Sequence, residues 1–182
     1  MHALTRQVGR WMVDGLSSDL HSHIASMRRY AMALAGDTVE ADDLVQESLR
    51  RAIAYTRKGG SVRNPRAFLF TVLHNVWANQ VQSNGSAGQH IPIDDVAATL
   101  GIDGNQQRQV ELKALLRAMN DLPKDHRQVL LLVCLEGFAY REAAAMLGVP
   151  IGTVMSRLAR ARKNVIAQIS AEQPARQLKR VK

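Results

Sequence analysis

The sequence is poor in cysteine and in aromatic residues: Cys134 stands alone, and 182 residues hold two Trp, three Tyr and three Phe. One cysteine cannot close an intramolecular disulfide or supply a multi-cysteine metal site, and Cys134 sits inside the apolar run from Val129 to Leu135, which fits a cytoplasmic chain. No apolar stretch reaches the roughly 18 residues that a membrane-crossing helix needs, and the N-terminus lacks a continuous apolar core. Neither secretion nor membrane insertion is expected. The histidines show no ligand spacing, since His21 and His23 diverge on a predicted helix and His90 lies in a polar stretch. No nucleophile motif and no His or Cys set accompanies the carboxylates, so neither catalysis, a metal nor a cofactor is expected, and the chain is read as a non-enzyme.

What is present is apolar side chain at helical spacing and a great deal of positive charge. Hydrophobic residues make up 46% of the chain, enough to bury a core, and they recur with a 3.6-residue period, which predicts an all-α fold. The net charge of +8 points to a polyanionic partner, because cations that neutralise phosphates release counterions. Its distribution is uneven. Residues 37–49 contain Asp37, Glu40, Asp42, Asp43 and Glu47 with no base, whereas residues 50–93 contain Arg50, Arg51, Arg57, Lys58, Arg63 and Arg66 with no acid. Residues 151–182 then hold Arg157, Arg160, Arg162, Lys163, Arg176, Lys179, Arg180 and Lys182 against Glu172 alone, so the basic footprint is C-terminal.

Leu20, Ile24, Met27, Ala31 and Leu34 form one helical stripe that Gly36 can end. Asp37 or Thr38 then caps a second helix whose inward face is Ala41, Leu44, Val45, Ser48 and Ala52, with its acids outward. The stretch from Thr56 to Ser61 breaks the pattern, and Asn64-Pro65 restarts a helix with a capping Asn and a first-turn Pro. Its apolar stripe is Leu69, Val72, Leu73 and Val76, with Phe70 and Trp77 read as core, and its opposite face, Thr71, His74, Asn75, Ala78 and Gln82, is polar without charge. A shift to Ser, Asn, Gly and Gln places a flexible interdomain linker at 82–108. Beyond it lie a helix of Leu112, Leu115, Leu116, Met119 and Leu122 that stops before Pro123, an almost wholly apolar one from Arg127 to Leu135, and two more over Tyr140 to Leu147 and Ile151 to Ile169.

That last pair has the features of a helix-turn-helix. Ala143 and Ala144 let the helices cross closely, Gly148 opens the turn, and Val154 and Leu158 anchor the second helix inward. Thr153, Ser156, Arg157 and Arg160 then face outward where a recognition helix meets base edges, with Arg162 and Lys163 further along for phosphates.

The string Leu122-Pro123, then Arg127-Gln-Val-Leu-Leu-Leu132, Glu136-Gly-Phe-Ala-Tyr-Arg-Glu-Ala-Ala144 and Val149 through Arg162 resembles region 4 of the extracytoplasmic-function (ECF) group of sigma-70 factors. Glu40-Ala-Asp-Asp-Leu-Val-Gln-Glu-Ser48 and Asn64-Pro-Arg-Ala-Phe-Leu-Phe-Thr-Val-Leu-His-Asn75 resemble region 2 of the same family, in the family's order. The resemblance implies two small helical domains, region 2 at 20–81 and region 4 at 109–170, flanked by an N-terminal extension (1–19) and a basic tail (171–182). It implies that Asp42, Asp43, Gln46 and Glu47 dock on the clamp helices of core RNA polymerase. By the same resemblance Lys58, Arg66, His74 and Asn75 serve the melted −10 strand, and Thr153, Ser156, Arg157, Arg160 and Arg162 serve the −35 duplex. The partners it implies are core RNA polymerase, promoter DNA and an anti-sigma factor. A stand-alone helix-turn-helix regulator is the alternative, and it would need a dimer seam that no heptad pattern supplies. Leu4, Val8, Trp11 and Met12 would make the extension an amphipathic helix.

Overall fold

The computed structural model describes residues 23–84 and 106–172. Residues 23–35 form α1, which buries Met27, Tyr30, Ala31 and Leu34. Gly36 ends it at φ 75°, its N–H bonded to the Met32 carbonyl at 2.9 Å, a left-handed cap that costs a residue without Cβ little. The Asp37 carboxylate then caps α2 (Thr38–Arg57) by accepting from the Glu40 N–H at 2.9 Å. Ala41, Leu44, Val45, Ser48 and Ala52 are buried, as their spacing predicts, and the enclosed Ser48 hydroxyl donates to the Leu44 carbonyl. The Asn64 side-chain oxygen accepts from the Ala67 N–H at 3.0 Å and Pro65 opens α3 (Pro65–Asn84).

The second half begins with α4 (Gln106–Asn120), and Leu122 is buried ahead of Pro123 as predicted. Next comes α5 (Lys124–Leu130), continued by a wider π turn over Leu131–Leu135. The sequence predicts one helix from Arg127, but Pro123, an acceptable residue at a helix start, brings the helix in three residues earlier. Arg127 is buried and donates to the Met119 carbonyl at 3.0 Å and the Asn120 carbonyl at 2.7 Å, satisfying acceptors left open at the end of α4. After Gly137 (φ 70°) come α6 (Tyr140–Leu147), the left-handed Gly148 (φ 63°) and α7 (Ile151–Glu172). Val154, Leu158, Ala161 and Val165 turn inward from α7 at four- and three-residue steps.

The chain is all-α, with no strand among the described residues, and its helices form two domains, α1–α3 and α4–α7. The domains also pack on each other through α3 and α6, and one buried cluster runs through both. This contact explains why α3 is apolar on more than one side: Leu69, Leu73 and Val76 are buried, and so are Phe70 and Trp77. The Phe70 ring lies 5.3 Å from Tyr30 of its own domain and 5.0 Å from Phe138 of the other. His74, expected on an open polar face, is only 8% exposed, on the stripe it shares with Phe70 and Trp77. Helices extend into both ends of the expected 82–108 linker; residues 85–105, the N-terminal extension and most of the basic tail lie outside the described residues. No helix among the described residues is long and apolar enough to cross a membrane.

Candidate nucleic-acid interface

The α6–α7 pair has the geometry its sequence predicts. Ala143 and Ala144 are buried at the crossing, and Val154 and Leu158 fix which side of α7 faces in. Ser156 and Arg160 are exposed and Thr153 and Arg157 half-buried on the opposite side, so these four share an outward face. The Ser156 hydroxyl donates to the Thr153 carbonyl at 3.0 Å, and the Arg157 guanidinium pairs with Asp125 of α5 at 2.5 Å. Asp125 is more than half exposed, and an ion pair of that kind is weak enough for a phosphate to displace. Arg162 does not join them. Two residues past Arg160 is about 200° around the helix, and its guanidinium donates to the Cys134 thiol at 3.4 Å.

On α2, Asp43 and Gln46 are exposed, whereas Asp42 is paired with Arg28 at 2.7 Å and Glu47 with Arg50 at 2.8 Å and Arg51 at 2.7 Å. The Arg51 hydrogen bond, with the charges of Arg50 and Arg51, holds the Glu47 carboxyl below its ordinary value although burial opposes it. Sequence reading missed the neighbours of these acids. Val39 (70% exposed) and Ile53 (47%) share the stripe of Asp43, Gln46 and Arg50 at four- and three-residue steps. Large apolar side chains left in water among acids suit a protein-docking face better than a merely solvated one. The signal was the i, i+4, i+7 spacing itself.

Of the four residues assigned to the −10 strand, Lys58 and Asn75 are exposed and Arg66 and His74 are not. The loop at Lys58 turns through Gly59, which is left-handed (φ 88°), and Gly60 packs so closely under the exposed Tyr55 ring that a Cβ there would push the ring aside. His74 is buried beside Trp77: burial lowers its pKa, the charge of Asp125 works in the opposite direction, and its Nδ1 has no hydrogen-bond partner.

Arg66 leads to a cluster the sequence reading did not assign. Glu136, released by the π turn and followed by Gly137, has a side chain with no solvent exposure. Its carboxylate meets Arg29 of α1 at 3.0 Å and Arg66 of α3 at 3.4 Å, and Arg66 also donates to the Glu136 backbone carbonyl. The Arg66 guanidinium lies 4.1 Å from the centre of the Phe138 ring, a cation–π contact. At the rim, the Asn64 amide donates to Glu142 at 3.4 Å. Burial raises the Glu136 pKa despite both guanidinium groups, and burial followed by the Glu136 charge raises that of the Tyr30 hydroxyl. An acid ending an apolar run was the visible signal; its partners are distant in sequence. Beside the cluster, Ala33, Leu112, Leu116, Leu131, Val165 and Ile166 line an apolar groove of about 260 Å³ flanked by Arg29 and Arg162. The described residues contain no group of His, Cys, Asp and Glu able to hold a metal ion.

Comparison with known proteins matches both halves. Residues 112–165 fit the family described as Sigma-70, region 4, and residues 20–74 the family described as the Sigma2 domain of PhyR. The ECF RNA polymerase sigma factor EcfG of Rhodopseudomonas palustris is 35% identical over 156 residues, covering 86% of each chain. The ECF RNA polymerase sigma factor SigC of Mycobacterium tuberculosis is 31% identical over 146 residues, covering 75% of this chain and 74% of the relative. Among solved structures, the sigma factor RpoE of Bartonella quintana in complex with the anti-sigma factor NepR superposes with a TM-score of 0.69 at 28% identity, covering 88% of this chain and all of that one.

Proposed function

This chain belongs to the ECF group of sigma-70 RNA polymerase sigma factors, and from that premise we propose how its surfaces divide the work of promoter recognition. The chain acts as an alternative sigma factor: it binds core RNA polymerase and directs initiation at particular promoters in the cytoplasm. The α2 stripe of Asp43 and Gln46, with Asp42, Glu47 and the exposed Val39 and Ile53, docks on the polymerase clamp. The Lys58 loop and α3, through Arg66, His74 and Asn75, hold the melted −10 strand. Thr153, Ser156, Arg157 and Arg160 read the −35 duplex in the major groove, where Arg side chains recognise guanine edges. Arg162, turned away from that face, contributes at most to phosphates. Strand separation is driven by captured bases and by the polymerase, without catalysis by this chain. An anti-sigma partner is part of the same reading, and the apolar groove flanked by Arg29 and Arg162 suits an amphipathic helix from it. Linking two weak promoter contacts through the polymerase makes their joint binding strong.

The observation that carries this reading is the joint presence, on one chain, of an acid–apolar docking stripe on α2 and an outward cationic set on a helix-turn-helix. The two surfaces should fail separately. Full-length Asp43→Lys with Glu47→Lys is expected to lose association with core polymerase by at least about tenfold, the effect of removing electrostatic complementarity, while polymerase-free binding to duplex DNA stays unchanged or rises. Equal loss of both activities in a folded variant would contradict the division of labour.

A further inference from the structure

Tyr55 is exposed where its helix register would bury it. It follows Ala52 by three residues and so continues the inward stripe of Ala41, Leu44, Val45, Ser48 and Ala52, yet its ring is 47% exposed, more than any other aromatic side chain among the described residues. The reason lies in how α2 ends. The left-handed Gly59 donates its N–H to the Thr56 carbonyl at 3.0 Å, and the Gly60 N–H donates to the Tyr55 carbonyl at 3.1 Å. In a turn of this kind the residue at the position of Gly60 ordinarily packs a side chain on the residue at the position of Tyr55. Glycine has no side chain to offer. The Tyr55 ring therefore rests on the Gly60 backbone, with the half-buried Phe68 ring tilted beside it at 5.1 Å between centres, and the remainder of the ring stays in water. The same turn is cationic. Arg57, Lys58 and Arg63 are exposed around it, and no acid occurs from residue 48 to residue 93. Nor does Tyr55 belong to the docking stripe of α2, because two residues past Ile53 is about 200° around the helix.

We infer that Tyr55 is a stacking platform for one unpaired base of single-stranded DNA, with the Gly59–Gly60 turn and Phe68 holding the ring in place and Arg57, Lys58 and Arg63 meeting the flanking phosphates. An open aromatic face among cations suits an unpaired strand, since every base offers a π face to stack and every phosphate a charge to neutralise. The inference rests on the reading of the Lys58 loop as part of the −10 surface. It adds to that surface a contact that is indifferent to base identity, separate from the hydrogen-bonding groups of α3. Duplex DNA gains nothing from Tyr55, because its bases are already stacked on one another.

The test uses the full chain and a short oligo(dT) that carries either a 5-iodouracil, which photo-crosslinks to an aromatic ring stacked on it, or a 2-aminopurine, whose fluorescence is quenched by stacking. Irradiation of the iodouracil strand bound to the wild-type chain is expected to join it to the peptide that contains Tyr55. A strand that does not bind, or that crosslinks only elsewhere or not at all, overturns the proposal. Tyr55→Leu keeps an apolar side chain without the ring, and is expected to weaken binding of the single strand about tenfold and to abolish the quenching of the 2-aminopurine. Tyr55→Phe is expected to keep both, and binding to duplex DNA should be the same in all three chains. A folded Tyr55→Leu chain with wild-type affinity and wild-type quenching also overturns the platform; should that variant not fold, the crosslink in the wild-type chain decides. Absence of the Tyr55 crosslink with promoter-specific transcription intact would reject the platform alone. A Tyr55 crosslink in a chain that directs no such transcription would reject the sigma reading and leave the platform standing.

Discussion

At the scale of single residues, the informative positions are those where a polar side chain is enclosed. His74 is the clearest case, buried beside Trp77 with an unpartnered ring nitrogen. Burial depresses its pKa more than the Asp125 carboxylate raises it, so the neutral form is favoured in the folded chain. The unfolded chain therefore takes up a proton first as the solution is acidified. His74 contributes its full stability above the ordinary histidine value of 6.5 and loses it as pH falls from there towards the depressed folded value. Thermal unfolding followed by circular dichroism should give a midpoint that drops over this range in the wild-type chain and drops less in His74→Phe. The same slope in both would mean that another group is responsible. Sequence spacing grouped His74 with the polar Thr71, Asn75 and Gln82, whereas the structure buries it on the stripe of Phe70 and Trp77; the nearby charge of Asp125, distant in the chain, was not visible in sequence.

At the scale of elements, local sequence carried most of the fold. Asp37 and Asn64 cap the helices their positions predicted, and Gly36 and Gly148 end helices in the left-handed conformation. The inward faces of α2 and α7 are those that the 3.6-residue period selects. The departures have physical causes. Helix α3 buries more than one side because it is sandwiched, and no single-helix pattern distinguishes a sandwich from a solvated polar face. The stretch after Leu130 widens into a π turn that a run of leucines does not announce. Its neighbour α5 is held to α4 by Arg127, whose guanidinium answers two carbonyls at the end of that helix. Arg127→Met keeps much of the apolar stem but leaves those acceptors unanswered, and should destabilise the chain by about 2 kcal/mol in urea unfolding. An unchanged midpoint would show that water replaces the guanidinium at no cost.

At the scale of the whole molecule, the two domains were legible in sequence and their packing on each other was not. Acidic and basic blocks, the glycine-bearing turn and the paired alanines each mark a local function, whereas the Arg29–Glu136–Arg66 cluster joins residues from three separate segments. That cluster changes how the candidate residues are read. Lys58, Asn75, Ser156 and Arg160 stand open, Arg157 is held by Asp125, Arg66 is half-buried against Glu136 and Phe138, and His74 is buried. The central claim is that this chain gives a polymerase its choice of promoter. Run-off transcription with core RNA polymerase and a pool of upstream DNA fragments, with and without the chain, tests it most directly. The account predicts discrete transcripts only when the chain is present, weakened by Arg157→Ala with Arg160→Ala. Initiation no more specific than that of core polymerase alone, in the absence of any inhibitor, would contradict it.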